Sequence, residues 1–142
     1  MQLRQLMTSD VELIGPSDSV FEASKKMRDL DVGALPVCDG RRLLGMITDR
    51  DITIRATAEA RDPNKTSVRD CMTSEIVYCF EDQNEDEAER IMGEKQIRRL
   101  PVLNRDQQLT GIVSLGDLAT KTAEMQETGR TLREISEPAQ AD

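Results

Sequence analysis

The chain has no histidine and no tryptophan, and only 2% of its 142 residues are aromatic. Without histidine it cannot form a Ser-His-Asp or Cys-His catalytic centre, and three cysteines alone make a poor zinc site. Aromatic platforms for stacking nucleic-acid bases are also missing. The composition therefore predicts a protein that is not an enzyme, holds no metal and does not bind nucleic acids.

Long apolar runs and an excess of positive charge are absent as well. The hydrophobic runs fall far short of the roughly 18 residues that a membrane-spanning helix requires. The net charge is -8, which does not suit a protein that binds a phosphate backbone. The first ten residues lack the order of a signal peptide. We therefore expect a cytoplasmic protein without a membrane partner, whose cysteines stay reduced.

An internal repeat organises the sequence. Residues 3–37 align with residues 68–102 at a constant shift of 65, so that Leu35-Pro36-Val37 matches Leu100-Pro101-Val102, and the match continues after one added residue. This period is too long for a solenoid unit. We predict two half-domains around a pseudo-twofold axis. The predicted organisation is repeat 1 at 1–61, a linker at 62–67, repeat 2 at 68–128 and a C-terminal tail at 129–142.

Each copy alternates between strand and helix signals, which predicts an α+β fold. Ser19 and Glu22 form a capping-box pattern, and Asp39-Gly40 is a strong hairpin signal between two apolar runs. Each half-domain is predicted as strand-helix-strand-strand-helix. The predicted strands are 11–14, 34–38, 43–48, 76–79, 100–103 and 109–114, and the predicted helices are 19–30, 51–61, 84–96 and 117–125. The acidic stretch 81–89 is interpreted as a solvated helix face.

The run Gly45-Met46-Ile47-Thr48-Asp49-Arg50-Asp51, which follows Leu35-Pro36-Val37, resembles the motif of the cystathionine β-synthase (CBS) domain. The second copy repeats it in the runs 97–102 and 111–117. The resemblance covers about residues 2–125 and is that of a stand-alone bacterial CBS pair. It implies a compact module, often a homodimer, whose clefts between the repeats hold AMP, ATP, NAD or S-adenosylmethionine.

Thr48 and Asp51 recur in the second copy as Ser114 and Asp117. An aspartate just inside a helix can direct its carboxylate at a vicinal diol and accept charge-assisted hydrogen bonds from ribose hydroxyls. The hydroxyl at the start of the helix lies where a phosphate is favoured. The family resemblance implies the same roles. The alternative is that both pairs only cap their helices.

Three arginines are the candidate phosphate ligands. Arg98 and Arg99 precede Leu100, at positions where basic residues of the kinase sensor repeats of this family approach phosphates, and Arg50 lies inside the first motif. The first copy has Gly33 and Ala34 instead, so the two sites are expected to differ in charge. Apolar residues next to these sites are expected to line the slot for the nucleotide base. These residues are Leu35, Pro36, Leu100 and Pro101.

The leading hypothesis is a regulatory module that binds an adenosine-containing ligand, with AMP favoured, and signals to an unknown effector protein through a conformational or dimer change. One alternative is a redox or stress-response protein that acts through a cysteine. Another is a nucleotide-independent structural dimer joined by its helices. The cysteines are Cys38, Cys71 and Cys79, and the helix residues are Ile52, Ala56, Leu118 and Thr122.

Overall fold

A computed structural model of the chain describes residues 1–121 and Ile135. Helices and strands are mixed, which confirms the predicted α+β class. The chain divides into two compact units, Glu12–Ile76 and Met1–Val11 with Val77–Asp142. Each unit therefore contains most of one sequence repeat together with the first residues of the other repeat.

The 12–76 unit is built on a helix and a hairpin. Helix α1 begins after Ser19, whose hydroxyl accepts a hydrogen bond from the Glu22 N–H at 3.1 Å, and it ends at Asp31 in a left-handed conformation. Gly40, with φ of 62°, makes the hairpin turn that Asp39-Gly40 predicts. The elements are α1 (Val20–Leu30), β1 (Ala34–Asp39), β2 (Arg42–Thr48), α2 (Asp49–Ile52) with a π-helical turn (Thr53–Thr57), and α3 (Val68–Cys71).

The 12–76 unit has its own hydrophobic core. The buried residues of α1 recur at helical spacing and pack on the inner face of the antiparallel β1–β2 pair. The first residues of the second repeat also contribute to this core. Its buried members are Ile14, Val20, Ala23, Met27, Leu35, Val37, Ile47, Ala56, Val68 and Cys71.

The second unit combines residues 1–11 with the second repeat. Its three-stranded sheet has the order β3-β4-β5, with β3 parallel and β5 antiparallel to β4. Two helices and the buried Leu3 and Leu6 complete a separate core. The elements are a 3-10 turn (Leu3–Gln5), β3 (Cys79–Phe80), α4 (Glu85–Lys95), β4 (Arg99–Leu103), β5 (Leu109–Ser114) and α5 (Leu115–Lys121).

Several predicted elements differ in extent from the observed ones. The predicted strand 11–14 is reduced to one parallel bridge between Ile14 and Val37, because Gly15-Pro16 follows at once. The predicted strand 76–79 is found only at Cys79–Phe80. The predicted helix 51–61 begins at Asp49 and passes into the π-helical turn, where β-branched residues are weak helix formers. Residues 122–125, Thr122 among them, and the predicted tail apart from the buried Ile135 lie outside the described residues.

The prediction of a solvated acidic face is wrong for two residues. Glu85 is 5% exposed and Glu89 is 1% exposed, because both lie on the face of α4 that also carries the buried Ala88 and Met92. The α-amino group of Met1 lies 2.7 Å from the Glu85 carboxylate and compensates part of its burial.

A leading segment, residues 3–8 in the first repeat and 68–73 in the second, packs on the hairpin of the opposite repeat. Thr73 and Met46 exchange backbone hydrogen bonds of 2.8 and 3.0 Å, and Thr8 and Ile112 exchange bonds of 2.9 and 3.0 Å. The same contact thus occurs once in each compact unit. It extends each hairpin at its outer edge by one pair of backbone hydrogen bonds.

Glycine is required where the leading segment crosses the hairpin. A Cβ atom at Gly45 would lie well inside van der Waals distance of the Thr73 carbonyl oxygen, and one at Gly111 would lie 2.7 Å from the Thr8 carbonyl oxygen. Both obstacles are backbone atoms held by hydrogen bonds, so neither can move aside cheaply. An isolated glycine inside a strand often marks such an approach.

We expect Gly45→Ala and Gly111→Ala each to lower the free energy of unfolding by about 1 to 3 kcal/mol, because the added methyl group pushes the leading segment off the strand. Gly116→Ala is the control, since its nearest heavy atom would be 3.6 Å away. It should raise stability by about 0.5 to 1 kcal/mol through helix propensity. Urea unfolding measures all three, and equal stability of the three variants would contradict the close approach.

Candidate functional site

The first candidate motif forms a reciprocal cap at the start of α2. The Asp51 N–H donates to Thr48 Oγ1 at 3.0 Å, and the Thr48 N–H donates to Asp51 Oδ2 at 3.0 Å. The Asp51 side chain is 13% exposed. Its second oxygen, Oδ1, accepts no hydrogen bond within residues 1–121.

The second candidate motif repeats this geometry at the start of α5. The Asp117 N–H donates to Ser114 Oγ at 3.0 Å, and the Ser114 N–H donates to Asp117 Oδ2 at 3.0 Å. The Asp117 carboxylate is 20% exposed, and its Oδ1 likewise accepts no hydrogen bond from the part of the chain that the structure describes. Both motifs therefore cap their helices. Each cap uses one oxygen of its carboxylate and leaves the other available.

A cation lies one helical turn after each aspartate. Arg55 Nη1 is 3.5 Å from Asp51 Oδ1, and Lys121 Nζ is 3.5 Å from Asp117 Oδ1. Our sequence analysis missed both residues. The signal that could have found them is the i,i+4 spacing of opposite charges on a helix.

The structure brings the predicted arginines of the second repeat to its motif. Arg99 is paired with Ser114 across β4 and β5, and the Arg98 carbonyl accepts the Leu115 N–H at 2.8 Å. The side chains of Arg98 and Arg99 are exposed and make no hydrogen bond or ion pair with another described residue. They are cations that a ligand could use.

The corresponding place in the first repeat has a different charge. Gly33 takes the position of Arg98, and its carbonyl accepts the Asp49 N–H at 2.9 Å. A Cβ atom at Gly33 would lie 3.2 Å from the Asp49 carboxylate, so an acidic group occupies the space beside the strand. The exposed Arg50 side chain is the candidate cation here, and it makes no hydrogen bond or ion pair with another described side chain. The first motif thus combines both signs of charge, whereas the second is mainly basic.

The apolar candidates are part of the packed interior. Leu35 is 2% exposed and Leu100 is fully buried, and Pro36 and Pro101 are also classed as buried. Each proline lies in the first strand of its hairpin, and the second strand of the hairpin ends at the motif. In this conformation these residues support the strands rather than offer side-chain surface to a ligand.

Two helix residues of the structural-dimer alternative, Ala56 and Leu118, are buried. Ala56 is 2% exposed and Leu118 is fully buried, and both belong to the core of their own unit. Ile52 packs against the core of the 12–76 unit. A dimer joined through these side chains would have to expose the cores.

All three cysteines are buried free thiols. Burial raises the pKa of Cys38 to about 11 and, as the main cause, the pKa of Cys79 to about 12. It also raises the pKa of Cys71, against the lowering effect of Arg61. Because the thiolate is the reactive form, these sites are poorly suited to redox sensing.

The described residues contain neither a metal-ion cluster nor a membrane-spanning helix. Within residues 1–121 and Ile135, no three His, Cys, Asp or Glu side chains stand close enough together to hold a metal ion. In the same residues, no helix has the length and apolar character needed to cross a bilayer.

Comparison with known proteins supports the interpretation of the repeats. The model of the CBS domain matches residues 3–56 and 68–124. The chain is 41% identical to YlbB of Bacillus subtilis over 138 residues, which cover 96% of this chain and 92% of that protein. It is 38% identical to hypoxic response protein 1 of Mycobacterium tuberculosis over 117 residues, covering 82% of this chain and 81% of that protein.

Solved structures agree with these relatives. A structure of hypoxic response protein 1 with two coordinated zinc ions aligns with a TM-score of 0.78 at 36% identity, covering 86% of this chain and 99% of that chain. A structure of CBSX2 in complex with AMP aligns with a TM-score of 0.72 at 28% identity, covering 83% of this chain and 93% of that chain. Both share the fold described above.

We expect the folded protein at pH 8 to react with a thiol reagent about a hundredfold more slowly than the urea-unfolded protein, because a raised pKa leaves little thiolate. Absorbance at increasing urea measures the reaction, and the unfolded chain should titrate as three thiols. The stability that the neutral Cys38 thiol contributes is complete below its ordinary pKa of 9.0 and falls as the pH rises toward 11. One fast thiol in the folded protein would favour the redox alternative.

Proposed function

This chain belongs to the CBS-domain family, and on that basis we propose that it is a regulatory module that binds adenosine-containing ligands. CBS-domain proteins are commonly regulatory and bind adenosine ligands, and stand-alone CBS-domain homologues are not enzymes. AMP is the favoured ligand, and ATP, NAD and S-adenosylmethionine are the other candidates. The proposed location is the cytoplasm.

One observation supports this proposal most strongly: the same half-used carboxylate occurs in both repeats. Each cap consumes Oδ2 of Asp51 or Asp117 and leaves Oδ1 without a hydrogen-bond donor among the described residues. A carboxylate oxygen in a fixed position can accept both hydroxyls of a ribose with charge-assisted hydrogen bonds. Capping and ribose binding are therefore compatible, and the cap supplies the orientation that binding needs.

The phosphate is assigned to the basic residues beside each motif. Arg98 and Arg99 would bind the phosphate at the second motif. At the first motif Arg50 alone would bind it, and the nearby Asp49 carboxylate would repel the phosphate. The hydroxyls of Thr48 and Ser114 lie at helix starts, although each is already engaged in its cap. We therefore assign the tighter AMP site to the second motif.

The base would lie beside the strands that lead to each motif. Because Leu35, Pro36, Leu100 and Pro101 are buried, they would form the floor under the base rather than its walls. The CBSX2 structure with AMP shows that a protein of this fold binds the nucleotide. The choice of adenine over guanine in this chain rests on the family.

Ligand binding would act by population shift. A ligand that binds one conformation of the homodimer more tightly than another changes the surface that an effector protein meets. In this proposal the protein catalyses no reaction and needs no obligatory cofactor. The adenosyl compound is its regulatory ligand.

Calorimetric titration of nucleotide-free protein with AMP, ATP, NAD and S-adenosylmethionine tests this function. We expect Asp117→Asn to weaken AMP binding by about 1.5 to 3 kcal/mol, because it removes a charged acceptor of ribose hydroxyls. The amide oxygen can still accept from the Ser114 N–H, so the helix cap is kept. Asp51→Asn makes the same test at the first motif.

Asp49→Asn is the matched control, since Asp49 lies in the first turn of α2 but, among residues 1–121, its carboxylate accepts only the Arg50 N–H. It should leave AMP affinity at the second motif unchanged. If the wild-type protein binds none of the four compounds in the titration, the proposed function is contradicted. Unchanged AMP affinity in both the Asp51→Asn and Asp117→Asn variants would reduce these residues to caps.

The charge difference between the motifs leads to a separate test. Replacing Arg98 and Arg99 together by alanine should weaken AMP binding by about 1 to 3 kcal/mol and leave adenosine binding nearly unchanged, because only AMP carries the phosphate. The salt dependence of AMP binding should decrease as well. The matched control replaces Arg41 and Arg42, an exposed pair in the other hairpin. Equal losses for AMP and adenosine would contradict the assignment.

A further inference from the structure

Arg55 connects the first motif to a leading segment. Its Nη1 donates to the Cys71 carbonyl at 2.8 Å and to the Met72 carbonyl at 3.2 Å. The same Nη1 also donates to Thr73 Oγ1 at 3.5 Å, so its two hydrogens are directed at acceptors of the leading segment. Asp51 Oδ1 lies 3.5 Å from Arg55 Nη1, so it interacts with the positive charge of Arg55 but accepts no hydrogen bond from it.

Lys121 makes the same connection in the second unit. Its Nζ donates to the Leu6 carbonyl at 3.3 Å and lies 3.5 Å from Asp117 Oδ1. Leu6 and Cys71 are equivalent residues of the two leading segments at the shift of 65. The arrangement is thus duplicated, although the side chains differ and the helix around Arg55 contains a π-helical turn.

We propose that Arg55 and Lys121 are positioning residues, which keep the ribose-binding carboxylate oriented and couple its occupancy to the leading segment. This inference rests on the proposed function and extends it to regulation. A leading segment that leaves its hairpin withdraws the carbonyls that hold the cation, and the carboxylate loses its neighbouring charge. A ligand bound to Oδ1 favours the state in which the leading segment stays on its hairpin.

The coupling must work in both directions, because linkage between two binding events is reciprocal. A ligand held by the carboxylate favours the conformation in which the cation stays beside Oδ1 and the leading segment stays on its strand. The Thr73 and Met46 amides, which are bonded to each other's carbonyls, report this for the first unit. The Thr8 and Ile112 amides report it for the second unit.

The test combines AMP titration with hydrogen exchange on the full chain. At the motif whose Asp→Asn variant loses AMP, we expect the matching cation variant, Arg55→Met or Lys121→Met, to bind AMP about three- to tenfold more weakly. Saturating AMP should slow exchange of the leading-segment amides in the wild-type protein. It should not do so in the cation variant, even at saturation.

Two controls separate this role from a general loss of stability. Arg61→Met removes an ion pair of 3.2 Å to Asp70 in the same leading segment without touching Asp51, so AMP affinity and AMP-dependent exchange should stay as in the wild type. The conservative Arg55→Lys and Lys121→Arg variants keep the charge and should restore most of the affinity. Thermal melts confirm that each variant is folded.

The outcomes distinguish the two proposals. A wild-type protein that binds none of the four compounds contradicts the proposed function, and this inference with it. A wild-type protein that binds AMP, alongside cation variants with unchanged affinity and unchanged protection of the leading segment, overturns the coupling while the function stands. Loss of protection that Arg61→Met reproduces also overturns it.

Discussion

The close approach of a leading segment to the opposite hairpin is the contact on which the fold and the site both depend. A side chain at Gly45 or Gly111 would separate the two backbones, and the hydrogen bonds of Thr73 and Thr8 would be lost. The same approach places the Cys71 and Leu6 carbonyls where Arg55 and Lys121 can reach them. Because Gly45 and Gly111 lack side chains, the leading segments can come close enough to hold Arg55 and Lys121 beside the candidate ligand-binding carboxylates.

In the proposed function, one side chain of each motif would cap a helix and bind the ligand at once. One oxygen of Asp51 and of Asp117 accepts a backbone N–H at the start of its own helix, and the other accepts no hydrogen bond from a described residue. Such a cap fixes the carboxylate before any ligand arrives, so little side-chain entropy remains to be lost on binding. The surroundings differ in charge, because Gly33 and Asp49 stand where the second repeat has Arg98 and Leu115.

Local patterns were sufficient to predict the elements with strong signals. The hairpin at Gly40 and the helix after Ser19 follow from turn chemistry and capping, which act between near neighbours. The contacts of the leading segments join residues that are distant in the chain, and no local pattern encodes them. The burial of Glu89, in contrast, follows from the face of α4 that it shares with Ala88 and Met92. In the site, the spacing of Thr48 and Asp51 was enough to predict their proximity. The partner of Arg55 lies sixteen residues away at Cys71, so only the tertiary structure shows it.

The exchange of leading segments has a consequence for how such a chain can be divided or duplicated. A single repeat that kept this arrangement would have to take its outer strand contact from another molecule, and its folding would depend on concentration. Joining two copies makes the donor permanently available at a high effective concentration. Within the 12–76 unit, residues 62–67 connect the first repeat to the leading segment 68–73, so the donor and the acceptor of this contact belong to the same chain.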